Sequence, residues 1–266
     1  MIRVVVAGAV GRMGREVVRV VTEAEDMELV GVVDREGVGQ SVLSATGFGS
    51  DELMVTDKLG ECLDGAGADV LVDFTHMSAA ADHALSAIKR GVAPIIGTSG
   101  LSIDDQNAIR TACSDFGVPA AIIPNFAIGA VLMVKFAEMA APFLPHCEVI
   151  ELHHDQKLDA PSGTAIHTAE RISEARSSVP EKVHGAVEKV TGARGGEHRQ
   201  VSVHSVRLPG YVASQEVLFG GSGERLSLRH DSIDRNSFMG GVLLSVRQIR
   251  QCDGLMIGLD RLMFGG

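Results

Sequence analysis

Met1-Ile-Arg-Val-Val-Val-Ala-Gly8-Ala-Val-Gly11-Arg-Met-Gly14 opens the chain. Its first residues are an apolar run of strand length, and Met13, Val17, Val20, Val21 and Ala24 then recur at helical spacing. Met27-Glu-Leu-Val-Gly-Val-Val-Asp34 is a second strand, ending in an acid twenty residues after Gly14. Strand, glycine loop, helix, strand and acid in this order make a dinucleotide site. The glycines permit a tight turn and close approach of a pyrophosphate, the helix start stabilises its charge, and Asp34 suits the adenosine ribose hydroxyls. Glycines alone would serve any tight turn; the two strands and the spaced acid decide. Arg35 leaves the cofactor open between NADH and NADPH. It either meets a 2′-phosphate or stacks on adenine, or it is a solvated turn residue.

Outward from this stretch the alternation continues. Strands are expected at Leu53–Thr56, Val70–Thr75, Ala93–Gly97 and Pro119–Ile123, with helices at Ser78–Arg90 and from Ser102, capped with Asp105. Such alternation predicts a parallel sheet with ligands beyond the strands' carboxyl ends. Those ends are Gly8, Asp34, Asp73-Phe-Thr75, Gly97-Thr-Ser99 and Pro124-Asn-Phe126. The second half differs. A helix beyond Gly129 leads to a Cys147–Leu152 strand and a helix from Ser162 to Ser177. Residues 178–200 read as a mobile loop, and strands follow at Val201–Val206, Ser214–Phe219 and Arg225–His230. A last helix, Asn236–Gln251, and a Met256–Leu259 strand return to the first half. The expected fold class is α/β: a Rossmann-type parallel sheet domain plus a second α+β substrate domain with an open mixed sheet. Residues 1–126 form the dinucleotide-binding domain, 127–235 the substrate-binding and oligomerisation domain, and 236–266 the returning segment.

Composition narrows the class. With 45% hydrophobic and 22% charged residues the 266-residue chain is expected to be soluble and globular. No apolar run approaches the roughly 18 residues of a membrane span, and the amino terminus lacks a signal-peptide layout. The four cysteines are scattered without metal-like spacing, as in a reduced, cytoplasmic protein. A net charge of -10 argues against nucleic acid and requires any anionic substrate to meet a local positive site. Screening over about 8 Å lets such a cluster outweigh the distant excess.

Glu151-Leu-His-His-Asp-Gln-Lys-Leu-Asp-Ala-Pro-Ser-Gly-Thr-Ala165 supplies that cluster. His153 and His154 stand at a strand end, where successive rings face opposite sides. Lys157 follows in the loop. Ser162 suits a helix N-cap, and Gly163-Thr164 present backbone N–H groups to an anion. A metal at His153 and His154 fits poorly, because adjacent strand histidines diverge and no third ligand is suitably spaced.

This signature resembles that of the dihydrodipicolinate reductase family, the 4-hydroxy-tetrahydrodipicolinate reductases of the diaminopimelate route to lysine. Gly8–Gly14, Asp73-Phe-Thr75, Gly97-Thr-Ser-Gly100 and Pro124-Asn-Phe126 resemble family motifs in the same order, so the likeness spans essentially the whole chain. The resemblance implies His153 as proton donor or acceptor, Lys157 as proton donor, and His154, Gly163 and Thr164 as substrate contacts. It implies cofactor contacts at Gly8, Ala9, Val10, Gly11, Arg12, Met13, Asp34, Gly97, Thr98, Ser99, Ile123, Pro124, Asn125 and Phe126, with Arg35 where an NADP phosphate contact is found. It also implies a cyclic dicarboxylate substrate and a homotetramer joined through the substrate-domain sheets. Two departures stand out: no Asn near Val131, and Ser99 in place of Thr. An aspartate dehydrogenase would share the glycine loop but not the His-His-x-x-Lys signature. A non-catalytic redox sensor would bind NADH without turnover and has no use for His153 or Lys157.

Overall fold

The computed structural model describes the chain apart from Ser99, Lys182, Val183, Ala186 and Gly266. Two compact units emerge: Met1–Phe126 with Phe238–Gly266, and Ala127–Ser237. In chain order the first unit runs β1 (Ile2–Ala7), α1 (Arg12–Glu23), β2 (Met27–Val33), α2 (Val42–Thr46), β3 (Val55–Thr56), α3 (Leu59–Ala66), β4 (Val70–Asp73), α4 (Met77–Ile88), β5 (Ala93–Ile96), α5 (Ile103–Phe116) and β6 (Ala120–Ile122). The second holds α6 (Ile128–Ala140), β7 (His146–His153), α7 (Gly163–Ala175), β8 (Gly196–His198), β9 (Val201–Arg207), β10 (Ala213–Gly221) and β11 (Glu224–Ser232). The chain then returns to the first unit with α8 (Met239–Gln248), β12 (Leu255–Ile257) and α9 (Leu259–Phe264).

The first unit's sheet is parallel throughout, in the order β12-β6-β5-β4-β1-β2-β3. Helices cover both faces of such a sheet, so its inner strands must be apolar on both sides. Val4–Ala7 and Val70–Val72 accordingly have no solvent exposure. The order reverses between β1 and β4, the switch point at which sheets of this kind bind ligands beyond the carboxyl ends of their strands. The second unit has a mixed sheet, β11-β10-β7-β9-β8, in which β7 pairs antiparallel with β10 and parallel with β9. Its core lies between one sheet face and α6 and α7, where Val149, Val203, Val217 and Phe219 meet Met133, Ala137, Ala169 and Ile172.

Three local expectations are corrected. The 178–200 segment is not all loop, because β8 pairs with β9 through a two-residue turn at Arg199 and Gln200, both at positive φ. Such turns favour Asn-Gly, so this pair carries no hairpin signal. The Arg176 guanidinium holds the turn instead, donating to the carbonyls of Arg199 at 2.9 Å and Gln200 at 3.2 Å. The expected Asn236–Gln251 helix is α8 flanked by 3-10 turns at Arg235–Phe238 and Ile249–Gln251. The last strand ends at Ile257, and Leu259 starts α9.

Candidate active site

In the first unit, the ends of five neighbouring strands carry the candidate residues. Gly8 adopts φ +76°, and a Cβ there would fall 2.7 Å from the Phe74 carbonyl. At Gly14, inside α1, a Cβ would lie 2.0 Å from the Gly8 oxygen, so only glycine lets this helix pack on the loop. Gly11 precedes α1, and among the described residues no side-chain hydrogen bond caps the helix. Its first-turn N–H groups therefore suit an anion. Asp34, at the end of β2, accepts from the Val10 N–H at 2.8 Å and the Glu36 N–H at 3.0 Å. It thus fixes the glycine loop from the second strand, while the neighbouring Arg35 is exposed.

The β4 end is built on Asp73, which is fully buried. Its Oδ1 accepts from the Thr75 N–H at 2.8 Å and the Thr75 hydroxyl at 2.6 Å, and its Oδ2 lies 2.7 Å from His83 Nδ1. Thr98 donates to the Thr75 carbonyl at 2.7 Å, tying the β5 end to the β4 end. The rings of Phe74 and Phe126 stand 5.4 Å apart, which brings in the segment after β6. Gly8, Asp34, Gly97, Thr98 and the stretch from Ile123 to Phe126 thus lie at the carboxyl ends of neighbouring strands; Ser99 lies outside the described residues. Close backbone approach at glycines, an uncapped helix start and an acid beside the loop together fit a dinucleotide.

The second constellation surrounds Glu151. Residues of one parity on β7 face the helices, so Val149 joins the core and Glu151 and His153 follow on the same side. Glu151 has no exposure. Its Oε1 accepts from Arg207 Nη2 at 2.8 Å and the Ser162 N–H at 3.3 Å. Its Oε2 accepts from Arg207 Nη1 at 2.9 Å and meets His153 Nδ1 at 2.5 Å. Burial pushes the Glu151 carboxyl up, but hydrogen bonds from His153, Arg207 and Ser205 outweigh it and hold the pKa at about 2. The pair Arg207 and His153 also stands in register across β9 and β7.

Arg207 reaches further, donating to the Asp159 carbonyl at 2.6 Å and so fastening the loop before α7. Ser162 caps α7, its hydroxyl accepting from the Ala165 N–H at 3.2 Å. From β10, the buried Gln215 donates to the Thr168 hydroxyl at 2.8 Å, and Thr168 donates to the Thr164 carbonyl at 2.7 Å. The helix start is therefore held from three strands. A Cβ at Gly163 would meet nothing within 4 Å, so this start faces open space. His154 is exposed just beyond β7. The Lys157 ammonium lies on the Asp159 carboxylate, at 2.7 and 2.9 Å.

Sequence reasoning missed Arg207, Gln215 and the pairing of Asp73 with His83. A Glu inside an apolar strand signalled a buried partner, but nothing near it in sequence named Arg207. A cleft of about 780 Å³ at the other end of β7, lined by His146, Glu148, Arg194 and Arg225, contains none of these groups. Among the described residues no cluster of His, Cys, Asp or Glu is arranged to hold a metal, and no helix is long and apolar enough to cross a membrane.

The buried carboxylate has a testable consequence. A folded-state pKa lowered from 4.5 to about 2 contributes stability that is present above 4.5 and lost as the pH falls through 2. The shift corresponds to about 3 kcal/mol. Urea midpoints of the protein and of Glu151→Gln should differ most at neutral pH and converge between pH 4.5 and 2. A constant gap across that range would show that the charge does not carry the effect.

Comparison with known proteins sets this geometry in a family. Residues 2–126 match the model described as dihydrodipicolinate reductase, N-terminus, and residues 129–263 match the model for its C-terminus. The chain belongs to the dihydrodipicolinate reductase family. It is 46% identical over 262 residues to a 4-hydroxy-tetrahydrodipicolinate reductase of Moorella thermoacetica, covering 98% of both chains. It is 47% identical over 263 residues to that of Halalkalibacterium halodurans, covering 99% of this chain and all of the relative. Among solved structures, a dipicolinate-bound dihydrodipicolinate reductase from Paenisporosarcina sp. TG-14 superposes with a TM-score of 0.89 at 41% identity. That match covers 98% of this chain and 99% of the other. Both units are therefore those of a dihydrodipicolinate reductase, with the Rossmann-type sheet in the first and the mixed sheet in the second.

Proposed function

We propose that this chain reduces 4-hydroxy-tetrahydrodipicolinate to tetrahydrodipicolinate with NADH or NADPH, in the diaminopimelate route to lysine. The observation carrying this reading is the Glu151-centred network, which joins His153, the Lys157 loop and the α7 start in one place. The first unit takes the role of dinucleotide-binding domain, with Gly8, Ala9, Val10, Gly11, Arg12 and Met13 around the pyrophosphate and Asp34 at the ribose. Gly97, Thr98, Ile123, Pro124, Asn125 and Phe126 serve the nicotinamide end, and Ser99, outside the described residues, joins them by the family resemblance alone. Arg35 serves a 2′-phosphate when NADPH is bound. A bound nicotinamide supplies the hydride.

The protein's own groups supply the proton and the alignment. One substrate carboxylate lies on the N–H groups of Gly163 and Thr164 and on the Thr164 hydroxyl, and the other on His154 or Lys157. The ammonium of Lys157 rests on Asp159 until a substrate carboxylate competes for it. His153 and Lys157 are the proton donors, and a cationic donor also steadies the negative charge that develops as the ring is reduced. The second unit's sheet carries the contacts of a homotetramer.

The deciding experiment condenses pyruvate with aspartate semialdehyde, adds the purified protein, and follows NADH and NADPH oxidation separately. Oxidation dependent on the condensation product supports the reading, and its absence with both nucleotides overturns it. Within that assay, Thr164→Val should raise KM for the substrate about tenfold with kcat changed less than about twofold, as expected for loss of ground-state binding. An unchanged KM would remove the Thr164 hydroxyl from carboxylate binding.

A further inference from the structure

Resting on the reading of His153 as a proton donor, we propose that Glu151 is a positioning residue that fixes which nitrogen of His153 exchanges the proton. Glu151 is wholly buried, and both its oxygens already accept from Arg207, so it meets the His153 ring as a carboxylate without a proton of its own. An ionised carboxylate only accepts, hence the 2.5 Å contact requires the proton on Nδ1. Nε2 is then the nitrogen available to substrate. In the acid form both ring nitrogens carry hydrogen. During turnover the Nε2–H bond breaks, Nε2 keeps its electron pair, and the proton goes to the ring atom that gained electrons from the hydride. The neutral imidazole left behind is the Nδ1–H tautomer, and Glu151 remains ionised throughout. The same carboxylate accepts from the Ser162 N–H, so one buried group sets both the acid and the entrance to the anion-binding helix.

Glu151→Gln tests this directly. The Oε1 position faces two fixed donors, Arg207 and the Ser162 N–H, whereas the Oε2 position faces Arg207 and the adaptable His153 nitrogen. The new amide NH2 therefore turns to His153, which must present a bare Nδ1 and move its proton to Nε2. That tautomer carries its hydrogen on Nε2, but a neutral imidazole N–H is a far weaker acid than the imidazolium, which the amide NH2 facing Nδ1 now disfavours. Expected results are a fall in kcat of about 30-fold with KM for NADH and NADPH unchanged, since those sites lie in the other unit.

The spectroscopic readout is the ¹⁵N tautomer of neutral His153, assigned by comparison with His153→Ala. Nδ1–H in the unmodified protein and Nε2–H in Glu151→Gln support the proposal. Nε2–H in the unmodified protein overturns it, as does a folded Glu151→Gln that keeps either Nδ1–H or normal kcat. Should that variant fail to fold, the tautomer of the unmodified protein alone decides, in the same sense. A protein that shows no NAD(P)H oxidation at all defeats the proposed reduction but leaves the tautomer result standing on its own.

Discussion

His153→Ala and Lys157→Ala are each expected to lower kcat by about 10²-fold or more while leaving the fold intact. Neither side chain is part of a hydrophobic core. The His153 side chain is 14% exposed and that of Lys157 23%; Lys157 pairs with the exposed Asp159, whereas Glu151, the partner of His153, is wholly buried. The loss of turnover should therefore exceed any change in the unfolding midpoint, although His153→Ala also removes one of the hydrogen bonds that hold the buried Glu151 carboxylate. Their effects should also differ in kind. Removing Lys157 takes away a cation as well as a proton, so KM for the dicarboxylate should rise together with the fall in kcat. Removing His153 leaves Glu151 with its Arg207 contacts and acts mainly on kcat. Steady-state kinetics with the condensation product check both variants, and near-normal turnover in either takes that residue out of the chemistry.

Gly14→Ala is the second large effect. A Cβ at this position would stand 2.0 Å from the Gly8 carbonyl oxygen and 2.6 Å from the Ala9 Cα, both backbone atoms that cannot swing aside. Helix α1 must lift away from the loop, which moves the N–H groups proposed to face the pyrophosphate. We expect KM for both nucleotides to rise at least tenfold, and overpacking to cost about 1–3 kcal/mol of stability. Gly65→Ala, inside α3, is the control. A Cβ there meets nothing within 4 Å, so stability should rise by about 0.5–1 kcal/mol with nucleotide binding unchanged. Equal nucleotide affinity in the two variants would refute the close-packing role of Gly14.

How much of this was legible beforehand depended on the range of the interaction. The glycine loop, the apolar strands and the Ser162 cap are local signals, set by backbone geometry and spacing within a few residues. They led directly to the parallel sheet, its carboxyl-end loops and the helix start. The contacts that organise the site are not local. Arg207 meets Glu151 across 56 residues and Gln215 meets Thr168 across 47, because parallel and antiparallel pairing to β7 brings β9 and β10 alongside it. Short elements were also hidden. Helix α3 contains Gly60 and Gly65 and starts after Lys58, which makes no side-chain cap, so neither propensity nor capping marks it. The Arg199-Gln200 turn lacks the usual residues and relies on Arg176 from a distant helix end. In each case tertiary hydrogen bonds replace the local chemistry that a sequence displays.

The central claim is that hydride passes to a cyclic dicarboxylate while this chain provides the proton. Turnover with NADH carrying two deuteriums at nicotinamide C4, followed by mass spectrometry of the product, tests it most directly. The account predicts one carbon-bound deuterium per tetrahydrodipicolinate formed, for NADPH labelled in the same way as well. Nucleotide oxidation that leaves the ring unlabelled would contradict it.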